Sequence, residues 1–131
     1  MILELNKKNL SGQFHKKVLG GLHSASLFNT AGEMLLLRED IGRHNCLDRI
    51  IGHMLVNEID ISDKMVFTSG RISLDLILKA ARMSLPALIT NSSVTHEAVM
   101  MSRRLGIMLI GYARGNRFNT VSYTHLRAHE T

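Results

Sequence analysis

The sequence predicts an α/β fold: a three-layer α/β/α sandwich built on a mixed sheet. Three observations predict it. Short runs of Val, Ile, Leu and Thr alternate with segments of helical periodicity, the pattern of crossover connections and a largely parallel sheet. The first two strand candidates are instead joined by Asn29-Thr30-Ala31-Gly32, turn chemistry that makes them an antiparallel hairpin. The length of 131 residues and the 45% hydrophobic share suit one domain with one core of Leu, Ile, Val and Met.

Taken in order, a helix is expected from about Lys8, where Leu10, Phe14 and Val18 make one apolar stripe; Lys7, Lys8, Lys16 and Lys17 face solvent, and Gly20-Gly21 ends it. Leu22 to Phe28 reads as a strand. Met34 to Leu37 is a continuous apolar run, read as a strand buried on both faces. Leu47, Ile50, Ile51, Met54 and Leu55 then mark the clearest helical stripe in the chain, with Asn45 as its N-cap. Met65 to Thr68 is a strand, Ser69-Gly70-Arg71 a tight turn, and Ile72 to Met83 a helix. Pro86 opens the strand Ala87 to Thr90. Val94, Ala98, Met101 and Leu105 mark the face of a last helix, which Gly106 ends before the strand Ile107 to Tyr112.

Composition excludes several classes. Apolar content is too high for a disordered chain, and 10 Gly with 1 Pro is not collagen-like. The single Cys rules out an intramolecular disulfide framework and fits a reducing compartment. No run approaches the roughly 18 apolar residues of a membrane helix. Glu4, Lys7 and Lys8 stand where a signal peptide needs an apolar stretch, so a soluble, cytoplasmic protein is expected. The 16 Lys+Arg against 11 Asp+Glu favour an anionic partner. Nucleic acid is disfavoured, because the basic residues are spread and the 4 Phe and 2 Tyr do not interleave with them.

In open α/β sheets, ligands bind beyond the carboxyl ends of the strands. Here those ends carry Arg38 to Asn45, Ser69 to Arg71, Thr90 to Ser93, and Tyr112 to Arg117. Helix starts follow the first three and favour anions. With Arg43, Arg71, Arg114 and Arg117 nearby, phosphate or pyrophosphate is the expected ligand class. Glu39 and Asp40 could accept hydrogen bonds from an amino-bearing base edge such as guanine's, or simply form a charged turn before a helix. His23 and His44 have structural readings beside the functional one, as a buried histidine and a cap. Cys46, in the first turn of a helix, could be a nucleophile, but a small buried residue is the preferred reading. No zinc signature occurs: there is neither a His-Glu-x-x-His helix nor the His-x-Glu and Pro-Cys-x-x-Cys of the zinc deaminases.

The strings Gly20-Gly21-Leu22-His23-Ser24-Ala25, Arg38-Glu39-Asp40-Ile41-Gly42-Arg43-His44-Asn45, Ser69-Gly70-Arg71-Ile72-Ser73 and Gly111-Tyr112-Ala113-Arg114-Gly115 occur in that order. Together they closely resemble the formate dehydrogenase accessory sulfurtransferase family, FdhD, from about Asn9 to Asn119. The resemblance implies a cytidine-deaminase-like fold without zinc and a homodimer. It implies a carrier that takes persulfide sulfur from a cysteine desulfurase. The sulfur goes to the molybdenum bis(molybdopterin guanine dinucleotide) cofactor before insertion into formate dehydrogenase, with GDP as a surrogate ligand. The family's cofactor-binding stretch matches Tyr112, Ala113, Arg114, Gly115, Asn116 and Arg117. With His23, Glu39, Asp40, Arg43, His44, Asn45 and Arg71 it makes up the expected cofactor-binding edge. The family's Cys-x-x-Cys loop lies upstream of the Gly-Gly-x-His string, and nothing before Gly20 here is a cysteine. No catalytic residue is therefore assigned, and the chain looks like the C-terminal half of a family member. Residues 1–120 are expected to form the domain. Val121 to Thr131 resembles translated adapter sequence and is expected to be a non-native tail. The competing readings are a stand-alone guanine-nucleotide-binding scaffold module without enzymatic activity, and a charge-driven nucleic-acid binder.

Overall fold

The computed structural model describes residues 23–114 and 117–122. The helix expected before Gly20 lies outside them. The elements run β1 (His23–Phe28), β2 (Met34–Asp40), α1 (Arg43–Val56), β3 (Met65–Thr68), α2 (Leu74–Arg82), β4 (Ala87–Thr90), α3 (His96–Leu105), β5 (Met108–Arg114) and β6 (Arg117–Ser122). They form one six-stranded sheet in the order β2-β1-β3-β4-β5-β6. β3, β4 and β5 are parallel, as α/β alternation requires. β1 is antiparallel to both its neighbours, and β6 is antiparallel to β5. β2, β3, β4 and β5 therefore all end at one edge of the sheet, where β1 and β6 begin.

Local chemistry sets the joints. The Asn29 carboxamide accepts from the N–H groups of Ala31 and Glu33, both at 3.0 Å, and Gly32 takes φ 82, which a side chain would resist. Thr95 caps α3 by accepting from Ala98 N at 3.2 Å, and left-handed Gly106 closes its other end.

Alternation along the inner strands sorts two apolar clusters. Ala25, Leu27, Val66, Leu88 and Leu109 join Leu47, Ile50, Leu76, Ile77 and Ala98 from the three helices. Phe28, Phe67, Ile89, Ile110 and Ala113 form the second cluster, to which none of the three helices contributes. Phe28, Phe67 and Ile89 are nonetheless fully buried. Burying each such side chain stabilises the fold by about 1.5–3 kcal/mol.

The structure departs from the sequence expectations in four places. β2 is not buried on both faces: it is the sheet's outer strand and Leu35 is 45% exposed. β1 takes the interior position because it pairs with β2 on one side and β3 on the other. β2 also continues through Arg38, Glu39 and Asp40, beyond the Met34 to Leu37 strand expected. Asn45 does not cap α1. That helix begins after Gly42, and Asn45 sits inside its first turn. Ile72 and Ser73 precede α2, because Ile72 is held in a parallel bridge to Val94. β6 runs to Ser122, with Leu109 in register with Ser122 and Ile110 with Thr120.

Candidate functional site

The common edge is held together by hydrogen bonds that run from strand to strand. Ser24 N donates to Ser69 Oγ and Ser69 N to Ser24 O, each at 2.9 Å, tying β1 to the end of β3. Gly70 N donates to Thr68 Oγ1 at 3.2 Å, and Thr90 Oγ1 donates to Gly70 O at 2.7 Å. Ser92 N donates to Thr90 Oγ1 at 3.0 Å, and Tyr112 N donates to Ser92 O at 2.9 Å. Sequence reasoning placed Ser69 and Thr90 to Ser93 at this edge but missed Ser24 and Thr68, and the bonds that join them all into a frame. The signal of Thr68 and Thr90 was a hydroxyl at the end of an otherwise apolar inner strand, where a buried polar group must find a partner.

The predicted site residues fall into two groups. The first surrounds the β2–α1 junction. His23 is opposite Asp40 in the β1–β2 register. The Asp40 carboxylate accepts from Gly42 N at 3.3 Å and Asn45 Nδ2 at 3.4 Å, so it braces the turn into α1. Those hydrogen bonds, the Gly42 one first, hold its pKa below the usual carboxylate range. Burial holds the His44 imidazole below its ordinary value, helped by the Lys79 and Arg43 cations. Lys79 on α2 reaches Asp48 on α1 at 2.9 Å. Arg49 Nη1 donates to the Glu39 carbonyl at 2.7 Å.

Arg43, the first residue of α1, crosses to the next motif. A Cβ built on Gly70 would lie 2.6 Å from Arg43 Cβ and 2.9 Å from its Cδ, so the Arg43 stem lies against the Gly70 backbone. Arg71, beside it, is exposed.

The second group sits at β5–β6. Tyr112 is 39% exposed and takes φ 57, inside a register shift between Gly111 and Arg114. A non-glycine residue in that region is strained by about 1–2 kcal/mol. Gly111 makes room for Val94, whose Cγ1 a Cβ would meet at 3.1 Å. Ala113 is fully buried, and the backbones of Arg114 and Arg117 are paired. Gly115 and Asn116 lie outside the described residues. Four strand spacings separate β2 from β5, roughly 19 Å along the edge. Glu39 and Asp40 on one side therefore do not meet Tyr112 and Arg114 on the other. The sequence expectation of one shared edge holds, but it is a long edge with two groups on it.

The helix starts differ. α3 is capped by Thr95 and carries Glu97 in its first turn. α2 carries Asp75 there. α1 has no side-chain cap bond and no acidic residue in its first turn; Arg43 and His44 stand there instead. Of the three helix starts it is the one with basic rather than acidic side chains in its first turn, beside the Asp40 carboxylate that braces Gly42, and basic side chains at a helix start suit an anion. A groove of about 250 Å³ lies between the starts of α2 and α3, lined by Leu74, His96, Met100 and Arg104, and is separate from this junction.

Cys46 is fully buried, and its Sγ donates to the His23 carbonyl at 3.3 Å. Burial and the Asp40 charge push its pKa up to about 11. Its burial matches the small buried residue that the sequence favoured. Among the described residues, no group of three or more His, Cys, Asp or Glu is placed to hold a metal ion. None of the described helices is long and apolar enough to cross a membrane.

The FdhD/NarQ family model matches residues 1–128. The chain belongs to the FdhD/NarQ family. Within it, the chain is 43% identical over 106 residues to the sulfur carrier protein FdhD of Bacillus licheniformis, covering 81% of this chain and 39% of that protein. It is 39% identical over 126 residues to the sulfur carrier protein FdhD of Sulfurisphaera tokodaii, covering 95% of this chain and 49% of that one. A crystal structure of a candidate formate dehydrogenase accessory protein from Desulfotalea psychrophila superposes with a TM-score of 0.83 at 28% identity, over 91% of this chain and 53% of that chain. The chain thus spans about two-fifths to one-half of the FdhD proteins it matches. The α/β fold with a mixed sheet agrees with that structural neighbour.

Proposed function

We propose that this chain supplies the cofactor-binding part of an accessory sulfur carrier for formate dehydrogenase. In this reading the carrier receives sulfur from a cysteine desulfurase and passes it to the molybdenum bis(molybdopterin guanine dinucleotide) cofactor. It acts in the cytoplasm as a homodimer. The observation that carries the reading is the α1 start: a helix end whose first turn holds Arg43 and His44 and no acidic residue, on the edge where four strands end. That donor set suits the phosphates of a guanine dinucleotide. Tyr112, exposed at the far group, offers a ring on which a base can stack. The long edge suits a ligand with two nucleotide arms better than a single mononucleotide.

The only Cys of the chain, Cys46, is buried and protonated near neutral pH, so the persulfide is carried elsewhere in the assembly. The test is calorimetric titration of the purified chain with GDP, with ADP and a mixed-sequence oligonucleotide as controls. GDP binding with preference over ADP, and no persulfide on Cys46 after incubation with a desulfurase and cysteine, supports the reading. Absence of GDP binding, or stoichiometric sulfur on Cys46, overturns it.

A further inference from the structure

Arg43 presents an unresolved charge. Its stem is only partly exposed, its Nε is buried without a hydrogen-bond partner, and no ion pair or hydrogen bond is made by its guanidinium among the described residues. A single buried donor left without an acceptor is unfavourable, and such groups are normally paired. Three other arginines near this junction differ: Arg49 and Arg38 each donate to a backbone carbonyl, and Arg71 is exposed.

What holds Arg43 in this place is an absence on the opposite loop. Gly70 is buried and fixed on both sides, its N–H on Thr68 and its carbonyl on Thr90, so it has no freedom to back away. A methyl group there would meet Arg43 Cβ at 2.6 Å, Cδ at 2.9 Å and Cγ at 3.3 Å. The glycine does not have a positive φ, so its role is space rather than backbone conformation.

We infer that Gly70 is a positioning residue: its missing side chain seats the Arg43 stem against the β3 end, so that the guanidinium receives a phosphate oxygen of the bound nucleotide. The inference deepens the guanine-nucleotide reading above and rests on it. It assigns the phosphate contact to the α1–β3 junction, through a residue pair drawn from two separate sequence motifs.

The experiment measures binding of GDP and of inorganic pyrophosphate to the wild-type chain, to Arg43→Gln, Gly70→Ala and Arg43→Gly, and to the double variant Arg43→Gly/Gly70→Ala. Loss of one charge-assisted contact predicts about 10- to 100-fold weaker binding of both ligands for Arg43→Gln and Arg43→Gly. Gly70→Ala alone should weaken both by about 10-fold or more. In the Arg43→Gly background it should change neither, because the side chain it displaces is gone and the nearest clash is relieved. Thermal melts accompany each variant. If Gly70→Ala abolishes cooperative melting, its recovery in the double variant supports the steric pairing, and Arg43→Gln decides the phosphate contact. Wild-type affinity for GDP in Arg43→Gln overturns the inference and leaves the guanine reading intact. Arg43-dependent pyrophosphate binding without preference for GDP over ADP does the reverse. An equal loss from Gly70→Ala in both backgrounds shows that the glycine does not act through Arg43, and overturns the inference.

Discussion

Cys46 gives the sharpest numerical test of how this chain is divided between structure and chemistry. Its side chain is fully buried, and its pKa is pushed up to about 11 from an ordinary value of 9.0. Two pKa units lower the thiolate fraction near neutral pH by about 100-fold, and the thiolate is the attacking species. Alkylation by iodoacetamide in native buffer should therefore be at least about 100-fold slower than in guanidinium, where the thiol is exposed. The same shift sets a pH dependence. The raised native pKa favours the neutral thiol, so its contribution to stability is fully present below pH 9.0 and is lost as pH rises toward about 11. The full loss is about 3 kcal/mol. Urea unfolding of the wild type and of Cys46→Ala across this window isolates it: the stability difference between the two proteins should shrink by that amount. A native alkylation rate within about ten-fold of the denatured rate would refute the reasoning. So would a wild-type/Cys46→Ala difference that stays constant with pH.

Two further predictions concern the frame of the edge. Thr90→Val keeps the volume of a fully buried residue but removes the donor to Gly70 O and the acceptor of Ser92 N, and should cost about 2–4 kcal/mol. Thr90→Ser keeps both bonds and loses one methyl, about 1 kcal/mol, so chemical denaturation should rank Val below Ser. At Tyr112, φ 57 reverses ordinary strand preference: Tyr112→Asn should be more stable than Tyr112→Ile by about 1 kcal/mol, because Asn tolerates the left-handed region and a β-branched residue does not. An isoleucine variant as stable as the asparagine one would show that the bulge relaxes freely.

Much of this protein was determined by local chemistry and is therefore readable from the chain alone. Met65 to Thr68 and Ala87 to Thr90 are strands with the expected bounds, because short β-rich runs flanked by turn residues have no helical alternative. The Asn29 turn, the α1 stripe apart from exposed Leu55, and the Gly106 stop follow from residues close in sequence. The motif strings identify the family, since their order and spacing are themselves sequence properties. Other features needed the tertiary structure. Which strand of the hairpin lies inside was decided by pairing: β1 bridges β2 and β3, so the apolar run Met34 to Leu37 ended at the sheet margin. Asn45 gave way as a cap because Asp40, ending β2, braces the turn one step earlier. The candidate site divided because strand order, invisible to periodicity, puts β1, β3 and β4 between β2 and β5. Gly70 and Arg43 stand far apart in sequence, in motifs with no local reason to meet. The packing of α1 over the end of β3 brought a glycine's empty volume and an arginine's stem to the same place.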